Sequence, residues 1–127
     1  MDYELLASVV SFEENEEALV FAFSADEGGS AKYLMLQYPL QTDEQDRNLQ
    51  LDGLYIERDD QVFGCHHGVM SIRKIDDRID IELSDLGKRR LQVERLAIIP
   101  AHWDTAIDQG LLRLAELSGG NYKVEVG

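Results

Sequence analysis

Apolar residues in this chain alternate with polar ones in short runs far more often than they recur at helical spacing, which predicts a protein built mainly of strands. Residues 3–12 mix Leu5, Leu6, Val9 and Val10 without a clean period and predict a first strand. The run Glu13 to Glu17 sets four carboxylates around Asn15; they repel one another and cannot enter a core, so a solvated turn follows. In the next run Leu19, Phe21 and Phe23 share one face and Ala18, Val20 and Ala22 the other, predicting a central strand covered on both sides with its bulky face toward the main core. Ala25 to Ser30 contains adjacent glycines and reads as a hairpin connection. Tyr33 to Tyr38 is again a strand, with Leu34, Leu36 and Tyr38 on one face, and Pro39 should end its pairing.

Thr42 can cap a short helix through Asp43, Glu44, Gln45 and Asp46, because acidic side chains in a first turn favour the helix dipole. Gly53 separates it from a strand at Leu54 to Glu57, closed by Arg58-Asp59-Asp60. The clearest local reading is a hairpin of Met70–Ile75 and Arg78–Leu83 turning at Asp76-Asp77, which would pair Ile72 with Ile81, Met70 with Leu83 and, outside, Arg73 with Asp80. Ser84 to Gly87 reads as a turn or short helix, Lys88-Arg89-Arg90 as a solvated turn, and Leu91 to Ile99 as a strand with a bulge near Arg95. Pro100 begins the longest helix pattern: Trp103, Ile107, Leu111, Leu114 and Ala115 form an apolar stripe, with Gly110 inside it to permit close approach to a strand. Gly119-Gly120 stops the helix, and Tyr122, Val124 and Val126 alternate as a last strand. The fold expected is α+β: a predominantly antiparallel, twisted sheet of six to eight strands with the Pro100–Leu117 helix packed on one face.

At 127 residues the chain suits a single domain spanning 1–127. Its apolar runs are strand-sized, its first residues lack the basic region of a secretory signal, and its lone cysteine, Cys65, suits a reducing compartment; the expected location is cytoplasmic. Charge narrows the partners further. Residues 1–60 hold 15 acidic and 3 basic side chains against 10 and 9 in residues 61–127, so nearly all of the net charge of −13 lies in the first half. Gathered on one surface, that charge repels nucleic acid and steers a basic partner inward; dispersed, it serves solubility.

Catalytic chemistry is weakly signalled. Cys65, His66 and His67 are good zinc ligands by type, but neighbours in an extended chain point to opposite faces, leaving at most Cys65 and His67 on one side. His102, Trp103 and Asp104 diverge around a helix axis, and the glycine pair fits neither phosphate-binding spacing. Among 25 acidic residues some pair always resembles a catalytic dyad, so that resemblance decides nothing. The expectation is a protein that is not an enzyme, without metal or cofactor; the alternatives are a small metal-dependent or carboxylate hydrolase and a non-catalytic adaptor.

The succession Tyr33-Leu34-Met35-Leu36-Gln37, Asp43-Glu44-Gln45-Asp46 and Tyr55-Ile56-Glu57 resembles the immunity protein 10 family of bacterial polymorphic toxin systems, as does the opening with Ala7-Ser8-Val9-Val10-Ser11-Phe12-Glu13. The resemblance covers about the first half of the chain. It implies a protein that binds and neutralises a cognate toxin, such as a nuclease, through contact alone. The docking surface expected from it is Asp43, Glu44, Asp46, Asp52, Glu57, Asp59 and Asp60 against a basic cleft, with Tyr38 and Tyr55 as aromatic anchors.

Overall fold

The chain changes sheet at Ser8. In the computed structural model, which describes residues 2–26, 32–49 and 51–126, strand β1 (Asp2–Ala7) buries Tyr3, Leu5 and Ala7, and then the parity of buried positions flips. In β2 (Val9–Glu14) it is Val10 and Phe12 that pack against the core. The break is held by Ser8, whose N–H donates to Ser24 O at 2.9 Å and whose hydroxyl donates to Ala25 O. Residues 3–12, expected as one strand, are thus two strands in different sheets, and the missing period noted in the sequence is that flip of phase.

Among the described residues ten strands form two five-stranded sheets, mostly antiparallel, with three helices, so the protein is richer in sheet than expected. One sheet is a meander of β2, β3 (Ala18–Ser24), β4 (Tyr33–Pro39), β5 (Tyr55–Arg58) and β6 (Asp60–His66), each antiparallel to the next. Between β4 and β5 lies the short helix α1 (Glu44–Asn48). The other sheet is mixed, in the order β1, β9 (Arg95–Pro100), β8 (Arg78–Leu83), β7 (Val69–Ile75), β10 (Lys123–Val126), with the parallel pairs β1–β9 and β10–β7 at its two sides. Of the expected glycine connection after β3, residues 27–30 lie outside the described residues.

One contiguous core joins the two sheets: Leu5 from β1, Leu19, Phe21 and Phe23 from β3, Leu34 and Leu36 from β4, Ile72 from β7 and Ile98 from β9. Alternation explains it, since each strand buries every second residue. The bulky face of β3 meets the core as expected, but Ala18, Val20 and Ala22 opposite are only half-buried, so β3 is covered on one side and not two.

The last helix, α3, is shorter than expected. Pro100 ends β9, paired with Ala7, and the helix runs only from Thr105 to Leu117, 13 residues, with Asp104 as its cap. A carboxylate four residues beyond the proline accepts from Ala106 N–H at 2.7 Å and sets the true start. Ile107, Leu111 and Leu114 are buried, and the helix packs against β2 and β10. Lys88-Arg89-Arg90, expected as a turn, is the last turn of helix α2 (Asp85–Leu91), where positive charge suits the dipole. Leu91 ends that helix, with Gln92 in the left-handed region as its cap (φ 57°), so the alternation of Leu91 and Val93 is not a strand.

In the β7–β8 hairpin Ile72 faces Ile81 as expected, and Asp76 turns the chain with φ 54°. Leu83 pairs with Val69 instead of Met70, because the register shifts between Val69 and Ser71 and leaves Met70 exposed. Arg73 lies opposite Asp80, yet their ion pairs go elsewhere: Arg73 to Glu125 and Arg78 to Asp80.

Candidate binding surface

The two sheets present opposite kinds of outer face. On the mixed sheet, an open hollow of about 430 Å³ is lined by charges of both signs, among them Glu4, Arg73, Asp80, Glu94 and Arg95. Arg78–Asp80 at 2.7 Å and Arg73–Glu125 at 3.0 Å pair off there. The meander's outer face follows from its register. One row across it reads Ser11, Ala22, Met35, Glu57, Gly64, and the next reads Glu13, Val20, Gln37, Tyr55, His66. Charge is sparse on these rows, and apolar and aromatic groups dominate.

Of the two carboxylates on these rows, Glu13 is exposed at the edge strand, whereas Glu57 is built in. It is 6% exposed, and its two carboxylate oxygens accept from two tyrosines of the same face: Tyr33 Oη–H to Oε2, and Tyr55 Oη–H to Oε1 at 2.7 Å. Gly64 makes the second bond possible, for a Cβ there would sit 2.3 Å from Tyr55 Oη. Both hydroxyls hold their protons tightly. Burial, then the bond to Glu57, pushes Tyr33 up to about 12, and the same causes raise Tyr55 further. Among the described residues no lysine or arginine forms an ion pair with Glu57. A groove of about 370 Å³ opens over this floor, lined by Met35, Gln37, Pro39, Leu51, Tyr55, Glu57, Gln61 and His66. His66 lies beside Tyr55 with the ring centroids 5.1 Å apart and the planes tilted by 56°, and burial, then the neighbouring His67, lowers its pKa, which favours the neutral imidazole.

Beyond Glu57 the strand ends in a second polar knot. The register shifts between Glu57 and Arg58, and Asp59 takes a left-handed conformation with φ 63°. That turn lets the Asp59 carboxylate accept from Tyr3 Oη–H at 2.7 Å and Tyr33 N–H at 3.0 Å. Arg58, 8% exposed, donates to Leu91 O at 2.8 Å and to Asp59 at 3.2 Å, with its guanidinium over the rings of Phe63 and Tyr3. Every buried polar atom here is partnered, so the knot clamps β5 to β1 and α2.

At the opposite end of β5 lies α1, which buries no residue. Asp43 caps it in place of Thr42, through a reciprocal box in which Asp43 accepts from Asp46 N–H and Asp46 from Asp43 N–H. Two further contacts tie this segment to the β2–β3 turn: Leu40 N–H donates to Glu17 O at 2.8 Å, and Gln41 Nε2–H to Glu16 O at 3.0 Å. The backbone of Glu16 and Glu17 is thereby held at the end of the meander to which Asp43, Glu44 and Asp46 belong. Asp52 stands 3.6 Å from His67.

The expected docking residues are thus brought together in part. Asp43, Glu44, Asp46 and Asp52 belong to the end of the meander where β4 finishes and β5 begins, and Tyr55 and Glu57 to the outer face between the ends. Asp59 and Asp60 lie at the far end, where Asp59 is engaged by Arg58, Tyr3 and Tyr33 and Asp60 accepts from Val62 N–H. Tyr38 points inward, packing against the core with its hydroxyl donating to Leu117 O at 3.1 Å. Sequence reasoning missed Met35, Leu51 and His66 as groove residues, and Tyr33 as a partner of Glu57 in its floor. The signal for Leu51 was present: an apolar side chain in a polar loop, 46% exposed.

The cysteine and histidines do not converge. Cys65 pairs across from inward-facing Ile56, His66 faces the groove, and His67 turns away with φ 61° toward Gly53 and Asp52. Among the described residues no group of three or more His, Cys, Asp or Glu could hold a metal ion. Burial raises the Cys65 thiol, against a smaller pull from Arg90, which disfavours a nucleophilic thiolate. Asp104 caps α3, and Trp103 Nε1–H donates to Asp108, so His102, Trp103 and Asp104 make no trio.

Fold and face together define a small two-sheet α+β protein that offers a surface for contact. The chain belongs to the immunity protein 10 family, whose model matches residues 6–102. Membership makes it an immunity protein of a toxin–immunity system, with a toxin as its partner; proteins of this kind are generally non-catalytic. No curated protein and no solved structure matches the chain. Among the described residues no helix is long and apolar enough to cross a membrane.

Proposed function

We propose that the chain, acting as one domain in the cytoplasm, neutralises a toxin by covering a basic surface of it, such as the cleft of a nuclease, without catalysis. The observation that carries this reading is the acidic end of the meander. Asp43, Glu44 and Asp46 share an end of the meander with Glu16 and Glu17, whose backbone oxygens accept from Gln41 and Leu40, and Arg47, the basic residue of that segment, donates to Thr42 O. Charge at such a rim chiefly accelerates association, and desolvated aromatic contacts set the lifetime of the complex. Asp52, Tyr55 and Glu57 continue that surface onto the sheet, while Tyr38, Asp59 and Asp60 support it from within and from the far end. A net charge of −13 disfavours nucleic acid as the partner.

The test is the association rate with a toxin whose gene adjoins that of this chain, measured against salt for the wild type and for Asp43→Asn/Glu44→Gln/Asp46→Asn. Roughly tenfold slower association and a shallower salt dependence are expected of the triple variant. A rate indifferent to both salt and substitution contradicts the electrostatic mechanism.

A further inference from the structure

Glu57 poses a physical problem that the free chain leaves unsolved. A carboxylate 6% exposed has lost most of its hydration, yet its partners are two neutral hydroxyls. Two tyrosine bonds satisfy half of its lone pairs, since a carboxylate offers about four acceptor sites. They supply no opposite charge. Burial of a charge without a counter-charge is costly, and a well-packed neutral residue would avoid the cost. The groove over Glu57 keeps that cost open to repayment from outside.

Resting on the immunity reading, we infer that this groove takes an arginine side chain of the toxin, its stem lying along Met35 and Leu51 and its guanidinium on Glu57. Charge complementarity selects the occupant. No lysine or arginine lines the groove, and the two ionisable groups beside Glu57 there, Tyr55 and His66, are both shifted by burial toward their neutral forms. A second copy of this chain brings a net charge of −13 to the same place and is repelled. A metal ion finds one carboxylate and no cluster of ligands among the described residues. Arginine fits better than lysine, because its planar fork can reach the two acceptor sites left free, while its long apolar stem covers Met35, Pro39 and Leu51. The flanking tyrosine and the arginine stem, once seated over Met35, Pro39 and Leu51, would shield the pair from water, which is where a single ion pair contributes most to an interface.

Calorimetric titration of the adjacent-gene toxin, inactivated by substitution, into three forms of the chain tests this. Glu57→Gln keeps the shape and hydrogen-bonding reach of the side chain and removes the charge; about a hundredfold weaker binding is expected, through faster dissociation. Its thermal midpoint, measured alone, should be unchanged or raised, because a buried charge has gone. Leu51→Lys, at an exposed position where folding is not at stake, should weaken binding at least about tenfold by placing a cation at the mouth. Binding by Glu57→Gln and Leu51→Lys within threefold of the wild type overturns the arginine site and leaves the immunity role standing. Absence of binding by the wild type defeats the immunity reading itself, and the groove assignment with it.

Discussion

Gly110 of α3 lies against the ring edge of Phe21 in β3, so close that a methyl group on its Cα would stand 2.5 Å from it. The contact sets how near the helix comes to the meander. Phe21 is fully buried and packed against Phe12 and Phe23, so its ring has nowhere to retreat.

Two effects therefore compete in Gly110→Ala. Alanine improves helix propensity by about 1 kcal/mol, whereas overpacking a closed core costs about 1–3 kcal/mol and more when the helix itself must shift. The second wins. Urea denaturation should show a net loss of about 1–2 kcal/mol, and a stabilised variant would mean that α3 does not sit on Phe21.

Alkaline pH should unfold the protein through its tyrosines. Burial, first among the causes, raises the pKa of Tyr3, Tyr33, Tyr55 and Tyr122 above the ordinary 10.0, and hydrogen bonds to Asp59 or Glu57 add to it in the first three. A folded-state pKa above the unfolded one means that the native state holds the proton more tightly. The corresponding stability is complete below pH 10.0 and is lost as pH climbs from there through about 12, the value for Tyr33. Tyrosinate absorbance followed against pH should rise late and cooperatively in the native protein and near the ordinary value in urea; coincident curves would contradict the buried hydroxyls.

The reach of Tyr55 to Glu57 depends on Gly64 having no side chain. Gly64→Ala should displace the Tyr55 hydroxyl and cost about 1.5–3 kcal/mol, the scale of a hydrogen bond to a charged group. Tyr55→Phe removes the same bond chemically. In denaturant titrations of both single variants and the double variant, the second substitution should add little to the first; fully additive losses would show that Gly64 and Tyr55 act independently.

Strand identity was legible where one face is buried and the other is not. Alternation in Tyr33–Tyr38 and across the Asp76-Asp77 hairpin reports that asymmetry directly, whereas the wholly apolar run Leu19–Phe23 shows a strand and its bulky face but reads as covered on both sides. The passage at Ser8 was not legible as two strands, for no glycine or proline punctuates it; its only trace is the shift of core positions from odd to even numbers. Pro100 misled because proline suits a helix start and equally the end of a strand.

Of the surface, the sequence carried the residue types but not their grouping. Antiparallel β4 and β5 send the residues before Tyr55 and those after Arg58 to opposite ends of the sheet, so acidic runs near one another in the chain part in space. Glu16 and Glu17 join Asp43 only through contacts made across β3 and β4. The solitary charge of Glu57 is likewise a property of register, since it follows from which side chains flank it on the outer face.

An immunity protein protects cells from its toxin, and growth measures that protection directly. Bacteria expressing the toxin of the adjacent gene should stop growing, and co-expression of this chain should restore growth. Continued arrest, with both proteins present and the chain folded, would contradict the immunity function on which the proposed surface and groove depend.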